Sequence, residues 1–231
     1  MFSDDGCFGA YLYQGMEKGG FAVFNSTGGV IGRYVETGWD LIGLGEVWLD
    51  GVWKPLVRIS PLHEVVLIAG RREHSGWVDA FGFDGRKLWS LEYNRSIDFE
   101  ILNGKSTVAI LSHSQKDSQL EMVDLRSGEI ARAVPLKIHK LFNPYKLFRD
   151  PRIPPAYFKI FSAPDYLIVA YKNAHTDKEA RLNGAKLLDT LGKEFDELEL
   201  SNLNDLWVDK TGHLFAKEDG GWKQWEIRQL P

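Results

Sequence analysis

A dense group of side chains suited to anion recognition follows the apolar run at 64–69. Arg71, Arg72, His74 and Trp77 stand within one short stretch of the chain. Arginine offers a planar fork of donors and tryptophan a flat stacking face, so this group could recognise an anionic part of a ligand. Charged hairpin tips are also commonly solvated without any partner. Both interpretations stay open from the sequence.

Basic and aromatic residues interleave in the segment 137–152, which includes Lys140, Tyr145, Phe148 and Arg149. Such a segment can hold an acidic peptide or single-stranded nucleic acid, or it can pack its aromatics and leave its charges in water. The whole chain has 28 Lys+Arg against 32 Asp+Glu, a net charge of -4. That balance argues against the extended positive surface that nucleic acid requires, so we predict a protein or peptide partner.

The other chemistry-bearing residues show no metal or cofactor pattern. The 6 histidines lack the i, i+4 spacing of a helical metal site. The glycine pairs at 19–20 and 28–29 lie between predicted strands rather than before a helix, where a phosphate loop would be. The single cysteine, Cys7, rules out an intrachain disulfide and is predicted to be a small buried residue. We expect neither a metal nor a cofactor.

The start of the chain predicts a cytoplasmic protein without a membrane segment. Residues 1–6 carry acids where a secretory signal would carry Lys or Arg before an apolar run. No stretch approaches the roughly 18 apolar residues of a membrane span.

The elements that must position these side chains are predicted to be strands almost throughout. Short runs of β-branched, aromatic and alternating residues are separated by turn residues, which is typical of strands and hairpins. The runs at 65–68 and 167–170 are apolar on both faces, as in strands buried between two layers. The predicted strands are 21–24, 30–36, 45–49, 53–59, 64–69, 77–83, 88–93, 107–113, 120–125, 130–136, 166–171, 185–190, 194–200, 206–209, 213–217 and 222–227.

A hairpin with a glycine turn recurs along the chain, at Gly28, Gly85, Gly128 and Gly192. Glycine reaches positive φ without a Cβ clash, which such turns need. The hairpins at 79–89 and 123–130 resemble the outer-strand hairpins of quinoprotein-like and WD-type β-propellers. The resemblance implies a single all-β domain over 1–231, with antiparallel four-stranded meanders forming a small or incomplete propeller of about five blades. A β-sandwich is the alternative.

The predicted blades are 1–37, 38–94, 95–137, 138–200 and 201–231, the second with an extra hairpin and the fourth with an inserted loop. Inner strands of a propeller line a central channel, and three strand starts carry acids: Asp40, Asp98 and Asp205. Such a set resembles the acids of five-bladed glycosidases, in which paired carboxylates act as acid and as nucleophile or base. Turn-capping is the simpler role for aspartate.

Two functions are therefore predicted. The first is a non-catalytic propeller scaffold that binds a protein or peptide through loops on one face, with Trp77 and the segment 137–152 exposed and adjacent. The alternative is a carbohydrate-active hydrolase with an acid-lined central pocket.

Overall fold

The computed structural model of the chain describes residue 3 and residues 6–14, 18–37, 56–72, 75–93, 96–113, 118–137, 157–172, 183–200, 206–209, 211–218, 221–225 and 227. Every regular element in these ranges is a β-strand. In the part of the chain that is described, no helix has the length and apolar character needed to cross a membrane.

The strands form five sheets, and within each sheet neighbours in sequence are neighbours in space. Sheet 1 has β1 (Phe8–Gln14), β2 (Lys18–Asn25) and β3 (Val30–Thr37). Sheet 2 has β4 (Leu56–Ser60), β5 (Val65–Arg72), β6 (Ser75–Gly82) and β7 (Lys87–Tyr93). Sheet 3 has β8 (Ser96–Ile101), β9 (Thr107–His113), β10 (Ser118–Asp124) and β11 (Ile130–Leu136).

Sheet 4 has β12 (Tyr157–Ser162), β13 (Tyr166–Lys172), β14 (Asn183–Asp189) and β15 (Glu194–Leu200). Sheet 5 has β16 (Leu206–Val208), β17 (Leu214–Glu218) and β18 (Gly221–Trp225). Each of the five predicted blade segments thus contains one meander sheet, and the all-β prediction is confirmed. Residues 38–55 of the second predicted blade and 138–156 and 173–182 of the fourth lie outside the described residues, so the extra hairpin and the inserted loop stay predictions.

Asparagine or aspartate side chains hold the glycine turns of sheets 1, 4 and 5 in the same way. Asn25 Oδ1 accepts hydrogen bonds from the N–H groups of Thr27 and Gly29 at 3.2 and 2.8 Å. Asp189 Oδ1 and Asp209 Oδ1 accept from the same two positions of their own turns. The residue between those positions is a glycine with φ between +81° and +90°: Gly28, Gly192 or Gly212. These local bonds explain why the turns can be predicted from sequence.

Other turn glycines allow one sheet to approach the next. A Cβ on Gly85, in the β6–β7 turn, would lie 2.0 Å from the backbone oxygen of Arg33 in β3. A Cβ on Gly128, in the β10–β11 turn, would lie 2.6 Å from the Trp89 ring. The Trp89 indole Nε1 donates to the Leu125 carbonyl in that same turn at 2.9 Å. Glycine is therefore required at both positions for packing as well as for φ.

The chain divides into two compact units. The first comprises Met1–Ile97, Ser106–Val108 and Val123–Ala131, and the second comprises Asp98–Lys105, Ala109–Met122 and Arg132–Pro231. In the first unit the facing sides of sheets 1 and 2 form a core around Phe21, Ile68 and Phe81. The prediction of one domain over 1–231 stays a prediction.

The second unit has two cores, one on each face of sheet 4. Leu167, Val169 and Leu188 pack with residues of sheet 3, including Leu111 and Leu120. On the opposite face, Ile168 and Leu187 pack with Leu214 and Ala216 of sheet 5. Strand β13 is consequently buried on both sides, as its uninterrupted apolar run predicts.

Candidate functional site

The loop residues predicted to bind a partner fall mostly outside the described part of the chain: His74, Lys140, Tyr145, Phe148 and Arg149. Arg71 and Arg72 end β5, paired with Gly76 and Ser75 of β6. Trp77 is buried, with 5% of its surface exposed, among the core residues shared by sheets 1 and 2. Its predicted exposure is wrong, because the register of β6 directs Trp77, like Phe81, toward sheet 1. Cys7, in contrast, is exposed rather than buried.

Asp98 links the first strand of sheet 3 to the first strand of sheet 4. It is buried in β8, where its Oδ1 accepts the N–H of Phe99 at 2.9 Å. Its Oδ2 accepts the N–H of Ile160, in β12, at 2.7 Å. Both carboxylate oxygens thus satisfy backbone donors, which is what a buried carboxylate requires. Asp40 and Asp205 lie outside the described residues, so the acid-lined pocket stays a prediction.

Two buried charged groups occupy equivalent places in sheets 2 and 4. Asp79 stands six residues before the turn glycine Gly85, and its carboxylate contacts Lys87 Nζ at 2.9 Å. The same carboxylate accepts the Ser90 hydroxyl at 2.5 Å. Lys87 and Ser90 follow that glycine by two and five residues. The buried charge of Asp79 is compensated by these two partners, which lie on the adjacent fourth strand of the same sheet.

In sheet 4 the same positions carry the opposite signs. Lys186 stands six residues before Gly192 and has only 3% of its side chain exposed. Its Nζ contacts Glu194 at 2.8 Å and Glu197 at 3.2 Å, and these acids follow Gly192 by two and five residues. Tyr171 donates a further hydrogen bond to Glu197. These groups join the third and fourth strands, so we assign them a structural role.

The β16–β17 turn gathers a polar cluster that the sequence analysis did not identify. Asp209 Oδ1 accepts the Thr211 hydroxyl at 2.7 Å, and Asp209 Oδ2 lies 3.2 Å from His213 Nδ1. Tyr166 donates its hydroxyl to the carbonyl of Gly212. The hydrogen bond from the Thr211 side chain, followed by bonds from His213, holds the pKa of Asp209 well below its usual value. Burial, and then the charge of Asp209, raise the pKa of Tyr166 to about 12.

This turn predicts a pH dependence of stability. Because the pKa of Asp209 is lowered by folding, its contribution is present above about pH 4 and is lost as the pH falls toward the folded-state value. Asp209→Asn should weaken that loss while keeping the turn, since Asn25 makes the equivalent bonds in sheet 1. Asp209→Ala should destabilise the protein at every pH. Urea unfolding between about pH 2 and 7 measures the stability of both variants. If Asp209→Asn lost as much stability at low pH as the parent protein, Asp209 would not be the source of the acid sensitivity.

Sheet 5 presents an aromatic face to solvent. Paired residues of an antiparallel sheet share a face, and Trp207 pairs with Phe215 while Trp222 pairs with Lys217. Trp207, Phe215 and Trp222 are therefore on one side, opposite the buried Leu214 and Ala216. Trp207 is 46% and Trp222 58% exposed. The Trp207 and Phe215 rings stack 4.3 Å apart at an angle of 9°.

The aromatic face, defined as Trp207, Phe215 and Trp222, could have been found from alternation in the sequence. Val208 packs against the core and directly follows Trp207, so alternation along the strand points the tryptophan to the other side. Phe215 stands between Leu214 and Ala216 in the same way. Gln224, which pairs with Phe215, is a polar residue on the same side. Large apolar side chains held rigidly in water are suited to macromolecular contact.

The described residues contain no group of three or more His, Cys, Asp or Glu side chains placed to hold a metal ion. The aromatic face itself is formed by the rings of Trp207, Phe215 and Trp222. Its groups can stack, exclude water and pair along a strand edge. That set of interactions is suited to recognition.

No protein-family pattern and no curated protein matches this sequence. Solved structures do. The β-propeller domain of the Trilobed protease from Pyrococcus furiosus, a propeller with an open velcro topology, has a TM-score of 0.54 and 12% identity over 93% of this chain and 62% of that chain. The WD40 domain of coronin from Toxoplasma gondii has a TM-score of 0.54 and 10% identity, covering 93% and 54%.

Acylaminoacyl peptidase from Pyrococcus horikoshii has a TM-score of 0.51 and 11% identity over 91% of this chain and 34% of that chain. The chain thus spans less than two thirds of the length of each of these proteins. Identities this low carry the fold and not the activity. With the five meander sheets described above, they show that this chain has a fold of the β-propeller type.

Proposed function

We propose that this chain is a non-catalytic scaffold of the β-propeller type that binds a protein partner through a peptide segment laid on the aromatic face. The observation that supports this most is the exposure of Trp207 and Trp222 on a sheet whose other side is core. Tryptophan is the residue type most enriched among those that dominate binding energy at protein interfaces. Stacking on Phe215 fixes the Trp207 ring, so less side-chain entropy is lost on binding.

The net charge of -4 supports a protein partner over nucleic acid. The proposal places the contact on sheet 5 rather than on the loops first predicted. Arg71, Arg72, His74 and the residues of the segment 137–152 stay predicted contributors. The proteins of similar fold include a WD40 domain and peptidases, and they support a propeller scaffold without naming a partner for this chain.

A displayed library of random linear peptides, selected against the immobilised chain, tests the proposal. We expect the selected peptides to lose at least about tenfold in affinity for the double variant Trp207→Ala/Trp222→Ala, because removing tryptophan anchors typically removes about 2 kcal/mol or more. Leu191→Ala is the matched control, since Leu191 is 59% exposed but lies in a turn of sheet 4. It should leave the affinity unchanged.

Three results would contradict the proposal. The library could yield no binder, or the binders could be indifferent to the two tryptophans. Alternatively, sedimentation could show self-association that the double variant abolishes, which would assign the aromatic face to a second copy of the chain. Each variant should keep the parent's urea midpoint, because exposed side chains contribute little to stability.

A further inference from the structure

Sheet 5 corresponds strand by strand to the first three strands of sheet 4. Tyr166, at the start of β13, bonds to the Gly212 carbonyl, so the β12–β13 turn lies beside the β16–β17 turn. Strand β12 also lies beside β16. Hence β16, β17 and β18 take the places of β12, β13 and β14. Among the described residues, no strand takes the place of β15 on the outer edge of β18.

We propose that the edge of β18 binds an extended, acidic and apolar peptide as the fourth, antiparallel strand of sheet 5. This inference rests on the proposed function and specifies how its partner is held. Sheets 2, 3 and 4 each have a fourth strand at this edge. An edge strand presents N–H and C=O groups that an added strand can pair with, and side-chain pairs then give specificity.

The backbone of β18 determines which groups face the edge. Residues 219 and 220 separate the closing pair Glu218 and Gly221. The closing pair of a two-residue hairpin is hydrogen-bonded, and hydrogen-bonded pairs then alternate along the ladder. Gly221, Lys223 and Trp225 therefore use their amides toward β17. Trp222 and Gln224 direct theirs to the outer edge.

The charge pattern of sheet 4 predicts that the added strand carries an acidic residue. In sheet 4 the third-strand cation Lys186 faces the same side as Leu188, toward sheet 3, and contacts two acids of β15. In β18, Lys223 faces the same side as Trp225, which packs toward sheet 4. Both lysines thus stand on corresponding faces of corresponding strands. Opposite charges on paired strands favour each other, so the added strand should place a carboxylate beside Lys223.

The apolar residues expected in the bound peptide are predicted from the other side of β18. Trp222 and Gln224 project to the aromatic face. A strand alternates its side chains between faces, so the residues flanking the acid would project to that face and cover Trp222. Aromatic side chains pair favourably with apolar neighbours across strands. The expected partner segment therefore alternates apolar and acidic residues, as the last four residues of β15, with the sequence ELEL, do.

A blocked heptapeptide with the β15 sequence is the probe, and the same peptide with lysine at every acid is its control. Amide exchange in the full chain, followed residue by residue by NMR, is the measurement. The Trp222 and Gln224 amides should exchange fast in the free protein and slow by about tenfold at a near-saturating concentration of the acidic probe. The Lys223 amide, already paired within the sheet, should not change.

Two variants sharpen the test. Lys223→Glu should reverse the preference, weakening the acidic probe and strengthening the lysine probe by about tenfold each. Gln224→Pro should abolish the protection of Trp222 with an unchanged urea midpoint, because a proline whose missing N–H faces the edge is tolerated. Slow exchange of Trp222 and Gln224 in the free protein, equal affinity for both probes, or indifference to Lys223→Glu would overturn the inference.

Failure here is distinguishable from failure of the proposed function. If library peptides depend on Trp207 and Trp222 while the edge amides stay fast when the peptides bind, the aromatic face binds partners without strand addition. If the acidic probe protects the edge amides but no library peptide depends on the tryptophans, the edge binds strands and the aromatic face is not the contact.

Discussion

Asp79→Lys is expected to destabilise the protein by about 3–5 kcal/mol, and adding Lys87→Glu should restore at least about half of that loss. Asp79 is buried and holds Lys87 Nζ at 2.9 Å. A lysine there would bring a second ammonium group next to Lys87 in a place with little water. Removing one member of a buried ion pair leaves the other uncompensated, and a like charge adds repulsion.

The rescue is expected because sheet 4 already carries the reversed pair. Lys186, Glu194 and Glu197 occupy the positions of Asp79, Lys87 and Ser90 relative to the turn glycine. The meander geometry thus accommodates either sign, provided the third and fourth strands carry opposite ones. Adding Ser90→Glu would complete the transfer of the sheet 4 arrangement into sheet 2.

Urea unfolding of the single, double and triple variants measures the coupling as a double-mutant cycle. If Asp79→Lys is too unstable to purify, Asp79→Asn gives a milder loss, and Asp79→Asn/Lys87→Met shows whether a neutral pair is tolerated. A double reversal as unstable as the sum of its two single changes would mean that the positions in the two sheets are not equivalent.

Gly85→Ala is expected to destabilise the protein by about 3 kcal/mol, against about 1 kcal/mol for Gly28→Ala. The two glycines have nearly the same left-handed φ, +84° and +81°. An alanine therefore suffers the same backbone strain at both. Only at Gly85 would the new Cβ also meet a backbone atom, 2.0 Å away at the Arg33 oxygen, whereas nothing lies within 4 Å at Gly28.

The difference between the two glycine variants isolates the approach of the β6–β7 turn to β3. Gly32 makes the reverse approach, because a Cβ there would lie 1.8 Å from the Phe83 oxygen. Urea unfolding of the two variants at a single pH gives both losses of unfolding free energy, and the dependence of that free energy on urea concentration should be the same in each. Equal losses for Gly85→Ala and Gly28→Ala would show that the two sheets do not depend on this backbone contact.

The turns and most strands could be predicted because their causes are local. The predicted bounds of β9, β11 and β15 agree with the structure. The prediction omits β1 and β12, and of β8 it includes only the start at Asp98. These three strands come first in their sheets, and β8 and β12 also lack a preceding glycine turn in the sequence. Polar residues also interrupt two of them: Asp98 and Glu100 in β8, and Lys159 in β12.

The candidate site was predicted less accurately than the strands, because the exposure of a side chain depends on which face of its sheet packs against a neighbouring sheet. Trp77 follows a charged stretch at the start of a predicted strand, which suggests exposure, yet sheet 1 covers it. Trp207 and Trp222 stand in ordinary alternating strands, and their side of sheet 5 is left in water. Asp98 illustrates the same limit, since the backbone N–H that it accepts belongs to Ile160, far along the chain.

The indole N–H resonances of the tryptophans test the proposed binding face most directly. Titrating the chain with a library-selected peptide should shift the Trp207 and Trp222 signals together, with the same affinity as the binding measured on the immobilised chain. The signal of Trp89, whose Nε1 is held by Leu125, should stay in place. Saturation of the protein with no movement of the Trp207 and Trp222 signals would contradict the proposal that sheet 5 binds the partner.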